Sequence, residues 1–131
     1  MKYFICAVEK ANLAISAEQT ERIIQVARPQ TSVCESINNE VFISIPALFR
    51  QNDLVAPHGL VLKTSLAGGR KTILLTPRID IDLEIPEENI HRLPEIFAGV
   101  FSFIRGVFFN GTNRDMILVL DPVKLGEVYH D

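Results

Sequence analysis

Apolar and polar residues alternate along much of this chain, most clearly in Ile79-Asp80-Ile81-Asp82-Leu83-Glu84-Ile85. A β-strand repeats every two residues. The run therefore predicts a strand with Ile79, Ile81, Leu83 and Ile85 on a buried face and Asp80, Asp82 and Glu84 on a wet one. Pro86 stops the ladder, because it has no N–H to donate. Pro86-Glu87-Glu88 suits one helical turn, with proline early and carboxylates near the positive end of the dipole. Ile90 and Leu93 pack beneath that turn, and Pro94 ends it.

The same reading predicts short strands over residues 3–8, 13–15, 23–26, 41–45, 60–66, 71–75, 102–109 and 116–120. Glu9-Lys10-Ala11-Asn12 and Asn110-Gly111-Thr112-Asn113 read as turns, and Ala67-Gly68-Gly69 as a hairpin turn with glycine where φ becomes positive. Ser16-Ala17-Glu18-Gln19 fits a capping box that opens a single helical turn. Residues 29–36 are polar and irregular, 51–59 form a loop and 95–101 a connection. Pro46 ends a strand before a short turn over 47–50, and Pro122 ends another before a turn over 123–125. Pro77 marks an edge or a bulge. About nine or ten short strands with turns every eight to twelve residues or so point to an all-β barrel or sandwich. Residues 15–27 and 81–94 share a strand-to-turn layout, as do 41–49 and 116–125, which suggests two similar halves.

At 131 residues the chain holds one domain, or two very small ones sharing a core. An apolar share of 47% and a charged share of 22% describe an ordinary soluble globular protein that needs no staple. Net charge is −3, with ten acids against seven bases from residue 66 onward, so there is no basic footprint for nucleic acid. No apolar run reaches membrane-spanning length. Met1-Lys2-Tyr3-Phe4-Ile5-Cys6 enters a strand directly, without a signal-peptide core. The expected location is the cytoplasm, with Cys6 and Cys34 reduced.

Asp80, Asp82 and Glu84 offer oxygen ligands to a hard cation, but successive ones lie about 7 Å apart along a strand, without a glycine loop or bidentate Glu. A solvated face that keeps the strand from aggregating is the better reading. Cys6 or Cys34 with a histidine would make a nucleophilic pair. Neither cysteine sits in a local motif, His58 and His91 fall in loops, and His130 lies at the terminus, so both thiols read as apolar residues. Gly68-Gly69-Arg70-Lys71 lacks the following helix that would hold a phosphate. No acid–base pair, metal cluster, cofactor site or activated nucleophile assembles, which points away from an enzyme. Phe97, Phe101, Phe103, Phe108 and Phe109 read first as core, with a ligand cavity or partner groove as alternatives. Phe108 and Phe109 point to opposite faces of a strand, so one is exposed or both layers are covered. An exposed phenylalanine beside a strand edge would suit a protein partner.

Three stretches carry a resemblance: Ile-Asp-Leu-Glu-Ile-Pro-Glu-Glu-Asn-Ile over 81–90, Phe-Ile-Arg-Gly-Val over 103–107, and Ile-Leu-Val-Leu-Asp-Pro-Val-Lys-Leu over 117–125. In that order they resemble the second half of CheW-like domains, the coupling proteins and kinase regulatory modules of bacterial chemotaxis arrays. Residues 3–28 are similar to the family's opening strand pair and helical turn. The family's Asn-Leu-Arg-Gly falls on Ser36-Ile37-Asn38-Asn39, where Ile37 stays apolar and Asn39 can adopt the left-handed conformation of glycine. Asn38 replaces an arginine that helps receptor and kinase coupling in the family, and with it a five-donor planar cation. The family's longer C-terminal helix has no counterpart past Leu125.

The resemblance implies an all-β fold of two intertwined small SH3-like β-barrel subdomains with one-turn helices, over approximate halves 1–59 and 60–131 that exchange strands. It implies a non-catalytic adaptor of chemotaxis-type signal transduction. Such an adaptor binds the regulatory domain of the histidine kinase CheA and the cytoplasmic tip of a chemoreceptor, with no cofactor, metal, nucleic acid or membrane insertion. One contact surface falls on Ile37, Asn38, Asn39 and Val41, and its counterpart in the second half on Ile104, Arg105 and Gly106. The alternative is a divergent β-barrel that has lost coupling and binds a small ligand, in a cavity lined by the phenylalanines, or a different protein partner.

Overall fold

The structure is a computed structural model that describes residues 1–8, 11–26, 33–49, 56–65, 70–94, 102–111 and 115–128, with backbone alone at 8, 11, 64, 65, 81, 82 and 126–128. The readings at 29–32, 51–55, 66–69, 95–101, 112–113 and His130 lie outside the described residues. Runs of β-branched and aromatic residues form β1 (Lys2–Val8), β2 (Ala11–Ser16), β3 (Thr20–Gln25), β4 (Cys34–Ile37), β5 (Glu40–Ser44), β6 (His58–Ser65), β7 (Lys71–Thr76), β8 (Arg78–Glu84), β9 (Ile104–Asn110) and β10 (Asp115–Leu120). Helices are short: α1 (Ile45–Leu48), α2 (Pro122–Val128), and 3-10 turns at Ala17–Gln19 and Glu87–Asn89. The all-β class expected from the alternation is what the chain adopts.

The strands form two five-stranded sheets, ordered β8-β1-β2-β10-β9 and β3-β6-β7-β5-β4. Hairpin β1–β2 is flanked by β8 and by parallel β10. Hairpin β6–β7 is flanked in the same way by β3 and by parallel β5. Each sheet thus combines a hairpin from one end of the sequence with strands from the other. The crossing points are Ala17–Gln19, between β2 and β3, and Pro77, between β7 and β8. Pro77 therefore marks a passage between sheets and not the expected edge or bulge, since a residue without an N–H suits a place where one ladder ends and another begins.

Neither sheet closes into the expected barrel: in each the two outermost strands are not hydrogen-bonded to one another. In the first sheet a single bridge covers the β9 edge. His91 N–H donates to the Val107 carbonyl and Val107 N–H to the His91 carbonyl, both at 2.8 Å. Gly106 permits this approach, because a Cβ there would lie 2.6 Å from the His91 carbonyl oxygen and 2.6 Å from Ile90 Cγ2. A glycine inside a strand of branched and aromatic residues is explained by that backbone passing over it.

Apolar side chains form three layers. The largest joins the sheets through Leu13, Ile15, Val41, Ile43, Leu60, Leu62 and Leu74, with Phe103, Ile104, Leu120 and Leu125. Tyr3, Ile5, Ala14, Ile85, Ile117 and Val119 cover the other face of the first sheet, and Val61, Ile73 and Leu75 that of the second. Period two sorts them: Leu60 and Leu62 go to the shared layer, Val61 to the other. Full burial of one aliphatic side chain contributes about 2 kcal/mol. An exposed ion pair such as Lys71–Glu21, at 3.1 Å, contributes about 0.5 kcal/mol, so the layers decide the fold.

Four expectations are corrected. Ile79 and Leu83 do not share a face: Ile79 packs on the shared layer, Leu83 and Ile85 on the other. The cause is a bulge, since Tyr3 faces Leu83 but Ile5 faces Asp80, which leaves an extra residue on β8 and flips its parity. Cys34–Ile37 is an edge strand where irregular chain was expected; half-buried throughout, it lacks the alternation that would reveal it. Ser16 makes no side-chain cap, and instead Thr20 Oγ1 donates to the Ser16 carbonyl at 3.0 Å. The helical turn after β5 starts earlier than expected, at Ile45, because Ser44 Oγ accepts from Ala47 N–H at 3.3 Å.

Gly106→Ala is expected to destabilise the protein by about 2 kcal/mol, since the added methyl meets backbone that cannot rotate away. Urea denaturation measures this, and an unchanged midpoint would refute the account.

Candidate functional site

Ile37 faces Glu40 across the β4–β5 ladder, so Asn38-Asn39 is a two-residue hairpin turn. Such turns need positive φ at the first central residue to match the twist of the strands. Asn38 supplies it, at +56°; Asn39 does not take the left-handed conformation. The left-handed residue thus lies one position earlier than expected. Both asparagines are exposed and Ile37 is half-buried, while Val41 is fully buried in the shared layer. The Asn39 carbonyl accepts from Lys71 N–H at 3.0 Å, which fixes the turn to the start of β7.

In the second half Ile104 and Gly106 are buried and Arg105 is exposed. Gly106 faces Val119 and Ile104 faces Leu120, so Arg105 is the extra residue of a bulge and its side chain leaves the ladder. Its Nη1 donates to Tyr3 Oη at 3.0 Å and its Nη2 is ion-paired with Glu87.

The two groups of candidates do not occupy equivalent places. Ser44 caps α1, and Asp121 Oδ1 caps α2 by accepting from Val123 N–H at 3.1 Å and Lys124 N–H at 3.2 Å. Counting back from these caps, Ile37 corresponds to Phe108, and β9–β10 runs farther, through the pairs Phe109–Met116 and Asn110–Asp115. The counterpart of the Asn38-Asn39 turn is the far end of this hairpin, near Gly111 with φ +72°. Ile104, Arg105 and Gly106 sit at the opposite end of β9.

That far end is apolar and wet. Phe109 is 49% exposed and Met116, directly opposite, 54% exposed. The His91 ring stands 6.0 Å from the Phe109 ring, tilted by 48°. Phe108 turns the other way and packs half-buried near Ile117, and Phe103 is buried in the shared layer. Met116 is not among the sequence candidates, since a turn over 110–113 would set Phe109 opposite residue 114; the Asn110–Asp115 pairing sets it opposite Met116.

A cleft of about 290 Å³ opens at the other end, lined by Met1, Tyr3, Ser16, Glu18, Gln19, Arg105, Leu120, Asp121 and Pro122. No phenylalanine lines it, which departs from the ligand cavity considered above. Cys6 is fully buried, and desolvation pushes its thiol up to about 12, partly opposed by a hydrogen bond with Thr76 and reinforced by Asp80. Among the described residues no group of three or more His, Cys, Asp or Glu is placed to hold a metal ion. His58 lies in β6 and not in a loop, its Nδ1 3.1 Å from Gln25 Nε2.

Asn38→Ala is expected to cost about 1 kcal/mol through the left-handed backbone, and Asn39→Ala clearly less; equal losses in thermal unfolding would contradict this assignment. Cys6 should resist alkylation at neutral pH in the native protein and react once unfolded. Its folded pKa is raised, so its contribution to stability is full below the unfolded value of 9.0 and falls as pH rises toward about 12. Rapid native alkylation of Cys6 would contradict both statements.

No family model and no curated protein matches the chain. Among solved structures it is similar to the scaffolding protein TtCheW from Thermoanaerobacter tengcongensis, with a TM-score of 0.72 and 13% sequence identity, over 91% of this chain and 82% of that one. Among the described residues no helix is long and apolar enough to cross a membrane. The likeness covers both sheets, and the fold is CheW-like.

Proposed function

We propose that this chain is a non-catalytic adaptor of chemotaxis-type signal transduction in the cytoplasm, coupling a chemoreceptor tip to the regulatory domain of the histidine kinase CheA. The fold likeness to a scaffolding protein supports this class of role. The observation that carries the reading is the exposed Phe109–Met116 pair at the end of an open sheet. Two large apolar side chains directly opposite one another, with the His91 ring against one of them, make a compact anchor for a protein surface. The Asn38-Asn39 turn, with Ile37 beside it, is the corresponding end of the second sheet and offers a place for a second partner.

Each contact would bury on the order of 800 Å² per partner, enough for specific and reversible binding. Holding two partners on one small body raises their effective concentration toward each other without any chemistry. Of the seven residues suggested by the resemblance, Asn38, Asn39, Arg105 and half-buried Ile37 have surface to offer. Val41, Ile104 and Gly106 would act through the backbone they shape.

Calorimetry against a CheA regulatory domain, a CheW-like domain and a receptor tip tests the reading. Phe109→Asp and Met116→Asp are expected to weaken binding to one partner about tenfold or more. Unfolding free energy should fall by no more than about 1.5 kcal/mol, since each side chain is only half covered. No binding to any of the three, or unaltered binding by both variants, refutes it.

A further inference from the structure

The cleft beside Arg105 lies at the opposite end of β9 from Phe109, and apart from the exposed surface of Arg105 the adaptor reading gives it no task. Tyr3, at its floor, is 1% exposed, and its phenol oxygen accepts from Arg105 Nη1 at 3.0 Å. The phenol's own proton has no acceptor among the described residues and is left for whatever occupies the cleft. Arg105 has five N–H groups, and its described partners are Tyr3 and Glu87. On the rim stands Asp121, whose Oδ1 caps α2 and whose Oδ2 has no described partner. Glu18 also lines the cleft, without a described partner. Leu120 and Pro122 supply an apolar wall.

These groups sort by chemistry: donors for an oxyanion, two carboxylates for a cation, and an aliphatic surface. A phosphate or nucleotide would be repelled by Glu18 and Asp121. A polyamine would be repelled by Arg105 and would leave the Tyr3 proton without an acceptor. A small zwitterion satisfies both sets, and a volume of about 290 Å³ suits one metabolite at the small end of ligand pockets.

We propose that this cleft binds a free aliphatic α-amino acid. Its carboxylate accepts from the Tyr3 hydroxyl and the Arg105 guanidinium, its ammonium donates to Glu18 and Asp121 Oδ2, and its branched side chain rests on Leu120 and Pro122.

Titration of the isotope-labelled full chain with L-valine, followed by amide chemical shifts, tests this. Saturable shifts are expected at residues 3, 18, 19, 105 and 121, with a Kd of about 1 mM or tighter. Valinamide, without the carboxylate, and isovalerate, without the ammonium, should each bind about tenfold more weakly or worse. Tyr3→Phe keeps the ring and should weaken valine about tenfold, whereas Glu18→Gln should weaken valine but leave isovalerate unchanged. A merely loosened cleft would not separate the two ligands in that way. No saturable shift by about 20 mM valine overturns the proposal. So does equal binding of the two analogues and valine, or undiminished valine binding by both variants. Calorimetry with the kinase domain, run separately, reads the adaptor role at the other end of β9.

Discussion

The pairing of β1 with β8 and of β3 with β6 ties each hairpin to a strand from the other end of the sequence, and the rest of the molecule follows from it. Without β8, one side of β1 would present bare backbone groups to solvent; without β6, β3 would have no ladder at all. The layer between the sheets inherits this dependence. Leu13 and Ile15 come from one end of the chain and Leu60, Leu62 and Leu74 from around its middle, and they meet across the Ala17–Gln19 crossover; Phe103, Ile104, Leu120 and Leu125 join them only after the second, at Pro77. Neither half has a complete sheet or a complete core of its own.

Period-two alternation made most strands legible, because a strand with one face on each layer writes its burial directly into the order of its residues. It failed where the period breaks. The Ile79–Ile85 alternation is unbroken in sequence, yet β8 spends one residue on a bulge and its two ends face different layers. Cys34–Ile37 went unread for the converse reason: an edge strand half-buried throughout has no contrast to show. The capping pattern at Ser16 was present without its hydrogen bond, since a turn that links two sheets is set by the ladders on either side.

The candidate surfaces were legible as motifs and less so as places. The resemblance pointed to Gly106, and packing explains it: the Ile90–His91 backbone crosses there and closes the sheet edge. It also pointed to Arg105 as a counterpart of the Asn38-Asn39 turn, but Arg105 bridges Tyr3 and Glu87 at the other end of β9 from that turn's counterpart. Met116 could be found only through register, as a residue becomes a surface feature by what stands across from it. One strand therefore carries an exposed apolar residue near one end and the edge of a polar cleft at the other. The His91 segment touches the strand between them, through its bridge to Val107 and its ring against Phe109.

The strand exchange also governs how the protein is made. Synthesis proceeds at about 5 to 20 residues per second, so the roughly 70 residues between the end of β1 and the start of β8 take about 4 to 14 s to appear. Throughout that interval Tyr3 and Ile5, whose cover is Ile85, Ile117 and Val119, stay bare, whereas Leu13 and Ile15 gain theirs earlier, from Leu60, Leu62 and Leu74. The cover of that face is completed only past β8, by Ile85, Ile117 and Val119, so a nascent chain stalled before β8 leaves it open to water.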